Sequence, residues 1–439
     1  MKFSNLPLSL TDMSAPVIGI ASRTQTPKGL RLHIGLFGRR NAGKSSLINA
    51  LTNQKIAIVS DVPGTTTDPV EKACELAPIG PVVFIDTAGV DDVGELGGLR
   101  TERSLAVLGW VDMALIVCDA KALTESELEL IRTVKSTATP TVVVLNKADT
   151  ADAKELIATQ EQVRSLGYEP VTVCASQKLN IDAVREAIVK LAQNAVEPDL
   201  PLLGDLVHPG DTVMLVTPID TGAPKGRMIL PQVQTIREVL DADAKCIVVR
   251  ENRLAETLTN EKEPPAFVVT DSQVVQSVVA QTPKTIPVTT FSIQMAYSKC
   301  DLVEMARGAA MIDFLRPGDK VMICETCSHH PQPDDIGRKK LPRWLAKKVG
   351  GELDIEVVVG KDFPVDLTPY KLILQCGGCV VTRRHMLTRL AQAKRQNIPM
   401  TNYGVAISHL QGVLERALEL HPKALKAFHE AREIFANHF

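Results

Sequence analysis

Residues Gly38-Arg-Arg-Asn-Ala-Gly43-Lys44-Ser45 constrain the fold of this chain more than any other stretch. They follow a short apolar run, Leu32 to Phe37, and open a helical pattern at Lys44. A glycine-rich loop between a strand and a helix can wrap its amides around phosphate oxygens at the positive end of the helix dipole. Such a loop belongs at the carboxyl edge of a parallel sheet, so the neighbouring sequence should alternate strand and helix. Val82 to Ile85, Ala114 to Val117, Thr141 to Leu145 and Val171 to Val173 are short runs rich in β-branched residues, each followed by polar or helical sequence. The alternation predicts an α/β unit with crossover helices, closed by a helix over Ile181 to Leu191.

Two more motifs sit where strands of that unit end. Asp86-Thr-Ala-Gly89 offers a carboxylate for the shell of a Mg²⁺ ion and an amide, Gly89, to sense a γ-phosphate. Asn146-Lys147-Ala148-Asp149 offers a carboxylate that can accept from both N1–H and N2–H of guanine, a pair adenine lacks, so the motif selects GTP. Gly38, Asn41, Gly43, Lys44, Ser45 and Ser46 are the candidate phosphate-loop residues. Lys44 would reach the β- and γ-phosphates and Ser45 would ligate Mg²⁺. Residues 30 to 192 thereby resemble the translation-factor-like class of small GTPases. That resemblance makes Thr66, in Gly64-Thr65-Thr66-Thr67-Asp68, the second Mg²⁺ hydroxyl ligand. It also puts Ala175 of Cys174-Ala175-Ser176 at the base-contacting position, with cysteine where the class has serine. Val90 follows Gly89 where a glutamine could orient the attacking water, so intrinsic hydrolysis should be slow. In GTPases with asparagine at the place of Asn41, that residue helps bind K⁺, which implies K⁺-stimulated hydrolysis here.

The chain is long enough for about three domains. Glu197-Pro-Asp-Leu-Pro201 and Glu261-Lys-Glu-Pro-Pro265 read as linkers. They divide the chain into a nucleotide-binding unit (1–196, its first ~30 residues an arm), a small unit (197–265) and a third α/β unit (266–439). The small unit looks too short to bury a good core alone, so it should pack on a second copy or on its neighbours. A net charge of -2 argues against general nucleic-acid binding. No apolar run approaches a membrane span, and the N-terminal stretch lacks the apolar region of a secretory signal. Nine cysteines beside a nucleotide site read as ligands and buried thiols rather than a disulfide framework.

Cys327 and His329 form a Cys-x-His, and after a gap of 46 residues Cys376 and Cys379 form a Cys-x-x-Cys. Both groups run off the ends of strand patterns, Lys320 to Ile323 and Lys371 to Leu374, which would gather them on one sheet edge. Three thiols can hold three irons of a cubane cluster and leave the fourth open. Cys324 with Cys327, Cys376 and Cys379 could instead form a tetrahedral zinc site, though the gap is long for a compact zinc module. A redox Cys-x-x-Cys and simple buried thiols are the other readings. Arg338, Lys339, Lys340, Arg343, Lys347, Lys348, Arg383 and Arg384 put positive charge around these loops, either as a solvated face or to attract an anionic ligand or acidic partner.

Cys327-Ser-His329, Asp334-Asp-Ile-Gly-Arg-Lys-Lys-Leu-Pro-Arg-Trp344, Cys376-Gly-Gly-Cys379 and Thr401-Asn-Tyr-Gly-Val-Ala-Ile-Ser408, together with the nucleotide motifs, resemble the FeFe-hydrogenase maturation GTPase family over nearly the whole chain. The resemblance implies GTPase, dimerisation and iron–sulfur cluster-binding domains in that order. It implies a 4Fe–4S cluster on Cys327, Cys376 and Cys379, and a diiron subcluster precursor delivered to apo-FeFe-hydrogenase, with radical-SAM maturases as further partners. It implies a cytoplasmic homo-oligomer, at least a dimer, that binds neither nucleic acid nor membrane. Many members carry histidine just before the Cys-x-x-Cys; Gln375 stands there, which leaves His329, Asp334 or Asp335 as the candidate fourth ligand. The rival reading is a GTPase of ribosome or tRNA maturation with a structural zinc site.

Overall fold

The computed structural model describes residues 28–52, 70–89, 104–195, 200–219, 228–326 and 335–437. The first of its sheets contains β1 (Leu32–Phe37), β2 (Val70–Leu76), β3 (Gly80–Asp86), β4 (Met113–Asp119), β5 (Thr141–Asn146) and β6 (Val171–Thr172), in the order β2-β3-β1-β4-β5-β6. Only β2 runs antiparallel, against β3. Helices α1 (Lys44–Thr52), α2 (Glu125–Ser136), α3 (Ala153–Ser165) and α4 (Ile181–Ala195) accompany the sheet. The central strands are apolar on both sides because both faces are covered. Ile34, Leu36 and Phe84 pack in one cluster, and Phe37, Ile85 and Ile116 in the other. Reciprocal capping boxes, Thr124 with Glu127 and Asp152 with Glu155, fix the starts of α2 and α3.

The second sheet holds β7 (Thr212–Val216), β8 (Lys245–Val249), β9 (Phe267–Thr270) and β10 (Val288–Thr290), all parallel, in the order β10-β9-β7-β8. Its helices are α5 (Leu230–Asp241), α6 (Leu254–Asn260), α7 (Val275–Gln281) and α8 (Phe291–Lys299). The domain boundary expected at 265 is therefore wrong. Pro264 and Pro265 lie inside this domain, between α6 and β9, and Ala266 N donates to Thr212 O at 2.9 Å as β9 docks beside β7. With β9 and β10 included, the unit buries both faces of its sheet: Val213, Leu215 and Phe267 on one side, Met214, Val216 and Val268 on the other.

The third sheet has β11 (Lys320–Glu325), β12 (Asp354–Val359), β13 (Leu372–Gln375) and β14 (Met400–Asn402), parallel, in the order β12-β11-β13-β14. Around it stand α9 (Leu302–Ala309), α10 (Leu341–Val349), α11 (Arg383–Arg395), α12 (Tyr403–Leu410), α13 (Leu414–Ala417) and α14 (Pro422–Ala436). Alternation along β11 sends Val321 and Ile323 to one core and Met322 and Cys324 to the other. Among the described residues no helix is long and apolar enough to cross a membrane.

Candidate nucleotide and metal sites

β1 lies where the strand order of the first sheet reverses, between β3 and β4, and such a switch point opens a crevice at the carboxyl ends of the strands. The phosphate loop turns there with Gly38 at φ 148, Asn41 at φ 62 and Gly43 at φ 95. A Cβ on Gly38 would sit 2.2 Å from Val117 O, and one on Gly43 2.1 Å from Asn146 Nδ2, so both positions admit only glycine. Lys44 Nζ donates to Gly38 O and Arg39 O, both at 2.9 Å, which lays the ammonium across the mouth of the loop. Ser45 Oγ donates to Asp86 Oδ2 at 2.6 Å, so the two expected Mg²⁺-shell residues meet. Among the described residues Asp86 Oδ1 is buried without a protein partner, as suits a carboxylate that faces a hydrated cation.

The base side is equally built. Asn146 Nδ2 donates to Ala42 O at 2.9 Å and its Oδ1 accepts from Ala175 N at 3.0 Å, tying the phosphate loop to the third motif. Asp149 Oδ1 accepts from Cys174 Sγ at 3.0 Å and Oδ2 from Gln177 Nε2 at 3.2 Å. Both carboxylate oxygens thus already accept from a donor. Lys147 takes a left-handed backbone, φ 61, and its Nζ lies 3.4 Å from Asp119 Oδ2. A cleft of about 480 Å³ is lined by Asn41, Gly43, Lys44, Ser45, Ser46, Asn146, Lys147 and Asp149, among others. Gly89 is half-buried beyond the end of β3. Thr66 and Val90 lie outside the described residues.

At the third sheet, β11 and β13 are adjacent, with Cys324 opposite Gln375. Cys376 and Cys379 leave the end of β13, both partly exposed. Cys376 Sγ accepts from Thr326 N at 3.2 Å and lies 3.1 Å from the Thr326 hydroxyl. Gln375 Nε2 approaches the same sulfur at 3.5 Å, and Gln375 Oε1 accepts from Arg389 Nη1 at 3.0 Å. Gln375 and Arg389 are 0% and 3% exposed, so an ordered polar pair underlies the cysteine loop. Tyr403 is partly buried nearby, and burial of its hydroxyl with Cys376 and Glu325 close at hand pushes that group well above the ordinary range.

Cys324 is 0% exposed in the apolar cluster of Met322, Ile373 and Met386, and burial pushes its thiol up to about 12. That environment is the environment of a core thiol. Cys327, His329 and Asp334 lie outside the described residues, and among the described residues no three potential ligand side chains cluster. Asp335 is committed elsewhere: it is buried and accepts from Arg338 N at 2.9 Å. Much of the expected positive face is likewise engaged. Arg338 makes two hydrogen bonds to Glu325 Oε2, Lys348 pairs with Asp313, and Arg383 donates to Ser298 O and Cys300 O. Sequence reasoning missed the pair of Gln375 and Arg389; two polar residues at apolar-face positions were the available signal.

A phosphate loop, an Asp86–Ser45 pair and an Asn146–Asp149 base edge on this sheet define a P-loop GTPase domain, here followed by two further parallel α/β domains. Family models match in the same order: a 50S ribosome-binding GTPase over 33–147, the hydrogen maturase F dimerization domain over 202–300 and the hydrogen maturase F tetramerization domain over 303–420. The chain belongs to the hydrogen maturase F family.

Two curated GTPases each match a little over a third of this chain. The tRNA modification GTPase MnmE of Trichormus variabilis is 38% identical over 167 residues, 37% of this chain and 34% of that protein. The GTPase Der of Bartonella henselae is 36% identical over 165 residues, again 37% and 34%. The chain thus spans about a third of the length of these relatives. Among solved structures, the G domain of the T. maritima FeoB iron transporter is 24% identical, covering 37% of this chain and 99% of that one, with a TM-score of 0.30.

Proposed function

We propose that this chain is a GTP-hydrolysing scaffold that binds a 4Fe–4S cluster through Cys327, Cys376 and Cys379, holds a diiron subcluster precursor and delivers it to apo-FeFe-hydrogenase. The observation that carries this reading is the contact of Thr326 with Cys376 Sγ. The residue immediately before Cys327 already touches the sulfur of the second cysteine group. The residues present fit the group: two partly exposed thiols at a sheet edge and a donor pair aimed at one sulfur. When bound, such a cluster with three protein sulfurs supplies one iron with an exchangeable position. His329 or Asp334 could occupy it reversibly. Lys339 and Arg343 remain to attract an anionic precursor.

In the GTPase domain, the loop amides and Lys44 hold the β- and γ-phosphates. Ser45 and Thr66 supply hydroxyls to Mg²⁺, Asp86 orients its shell, and the Gly89 amide reads the γ-phosphate. Guanine replaces Cys174 and Gln177 as the donor to Asp149. With Val90 where a glutamine could act, K⁺ held by Asn41 supplies the missing charge at the phosphates. The scaffold works as a cytoplasmic homo-oligomer, at least a dimer, with radical-SAM maturases as suppliers; neither nucleic acid nor membrane is part of the reading.

A role in ribosome or tRNA maturation with structural zinc draws on relatives that match 37% of this chain, and the buried Cys324 counts against it. The test is activation. Anaerobically reconstituted protein, loaded with a synthetic diiron precursor, should confer hydrogen evolution on apo-FeFe-hydrogenase. Cys327→Ser, Cys376→Ser and Cys379→Ser should each abolish that and leave GTP hydrolysis intact. Full activation by any of these variants would refute the assignment.

A further inference from the structure

The nucleotide cleft and the cysteine loop are joined by one side chain. Glu71 lies on β2, where it pairs with Ile85, and its neighbour Val70 pairs with Asp86 of the nucleotide site. The Glu71 carboxylate accepts from Lys28 Nζ and from Lys361 Nζ, each at 2.7 Å. Each lysine leads to a different cysteine. Lys361 lies 3.4 Å over the Trp110 ring and follows Gly360, whose oxygen accepts from Arg389 Nη2 at 2.9 Å. Arg389 holds Gln375, and Gln375 reaches Cys376 Sγ. Lys28 opens a short turn, Lys28–Leu30, in which Gly29 lies so close to the loop that a Cβ would sit 2.6 Å from Cys379 O. A cavity of about 490 Å³ at this junction is lined by Lys28, His33, Glu71, Trp110, Thr326 and Lys361, among others. The joint is therefore fastened by charge across a space in which the side chains can rearrange.

We propose that Glu71 is a positioning residue that couples the nucleotide cleft to the Cys376–Cys379 loop, so that a GTP analogue in the cleft changes the exposure of the two sulfurs. As a statement about cluster traffic, this rests on the assignment of that loop as the cluster site. A ligand shifts a two-state element only by its differential affinity for the two states, and the coupling is reciprocal. Val70 pairs with Asp86 and Glu71 with Ile85, so a shift of the Asp86 carboxylate on nucleotide binding reaches Glu71 through one strand pair. Bonds on both sides of Glu71 then pass it to both cysteines at once.

The test uses the full-length protein without iron. Alkylation of Cys376 and Cys379 by iodoacetamide is followed by peptide mass spectrometry, with and without Mg²⁺ and a non-hydrolysable GTP analogue. In the wild type the analogue should change the rate by about fivefold or more. In Glu71→Gln the effect should fall below about twofold, while analogue affinity stays within about twofold of wild type. Lys361→Met, which breaks the same bridge from the other side, should behave alike; circular dichroism checks that both variants fold. An unchanged nucleotide effect in the variants would overturn the proposal, as would its absence in the wild type, a comparison that needs no variant. If the wild type takes up no iron, the cluster assignment fails while the thiol readout still decides the coupling, so the two failures are distinguishable.

Discussion

Thr326 turns both its backbone amide and its hydroxyl toward Cys376 Sγ, at 3.2 and 3.1 Å, and so fastens the end of β11 to the first residue beyond β13. Parallel pairing of these strands makes the contact possible, since it brings both carboxyl ends to one edge. Hydrogen bonds to a metal-bound sulfur typically tune affinity by 10- to 100-fold. Thr326→Val keeps the shape of the side chain and removes the hydroxyl. It should weaken iron retention by about tenfold in chelator competition. Equal retention would make the hydroxyl a bystander.

Asp149 accepts two hydrogen bonds, from Cys174 and Gln177, in a cleft whose far wall is the phosphate loop. Asp149→Asn converts one acceptor into a donor and opposes a guanine N–H. Losing a charged bidentate contact costs about 3 kcal/mol, so GTP affinity should fall about a hundredfold, and xanthosine triphosphate should bind better than GTP. Titration with fluorescent nucleotide analogues measures both. Retained guanine preference would remove Asp149 from the base site.

Asn41 stands in the phosphate loop with a left-handed backbone and exposed side chain, at the edge of the nucleotide cleft. Hydrolysis should be faster in K⁺ than in Na⁺ at equal ionic strength, and Asn41→Ala should erase the difference. Phosphate release assays in the two salts decide it; identical rates for the wild type would count against K⁺ at this site.

Much of this architecture was legible because its signals are local. The three nucleotide motifs stand at the ends of β1, β3 and β5 as read, each strand being a continuous apolar run. Cys376 follows its strand as expected for the same reason. What failed was non-local. Pro264-Pro265 has the composition of a linker, but whether a linker separates domains depends on which strand the next one pairs with, and β9 pairs with β7. Arg383 and Arg384 look like surface charge, yet their guanidinium groups hold Ser298 O, Cys300 O and Thr139 Oγ1 in neighbouring domains. Glu71 and Lys361 lie 290 residues apart, and nothing in either neighbourhood announces the other.

Acid should destabilise the fold through its histidines. His33 and His421 are drawn down to about 4 and His385 well below 6.5, each chiefly by burial. Consistent with a neutral ring, His421 Nε2 lies 3.1 Å from Gln294 Nε2, placed to accept from it. Between pH 6.5 and about 4 the unfolded chain binds these protons and the folded chain does not, so stability falls as pH drops. The steepest slope is about 1.4 kcal/mol per pH unit for each histidine. Glu71 does not oppose the trend. Burial works to raise it, but hydrogen bonds from Lys28 and Lys361 bring it to about 2, so its contribution is constant above the ordinary carboxylate range. Urea midpoints at pH 7.5 and 5.0 should therefore differ, and His421→Gln should narrow the gap. Equal midpoints would show that these rings titrate normally.

Gly29 offers a steric check on the seam between the first and third domains. Its missing Cβ leaves room for Cys379 O and Val381 O, which would otherwise lie at 2.6 and 2.8 Å. Gly29→Ala should destabilise the protein by about 1–3 kcal/mol in urea unfolding, because backbone atoms cannot give way as side chains do. A neutral substitution would mean that the turn and the cysteine loop do not touch in solution.

The most direct trial of the cluster assignment is iron and sulfide analysis with electron paramagnetic resonance after anaerobic reconstitution. Wild-type protein should bind close to a full 4Fe–4S complement per chain and give the signal of a reduced cubane, and Cys327→Ser, Cys376→Ser and Cys379→Ser should each lose most of both. Wild-type protein that takes up zinc but no iron, or a Cys376→Ser, Cys379→Ser double variant that still carries a full cluster, would contradict it.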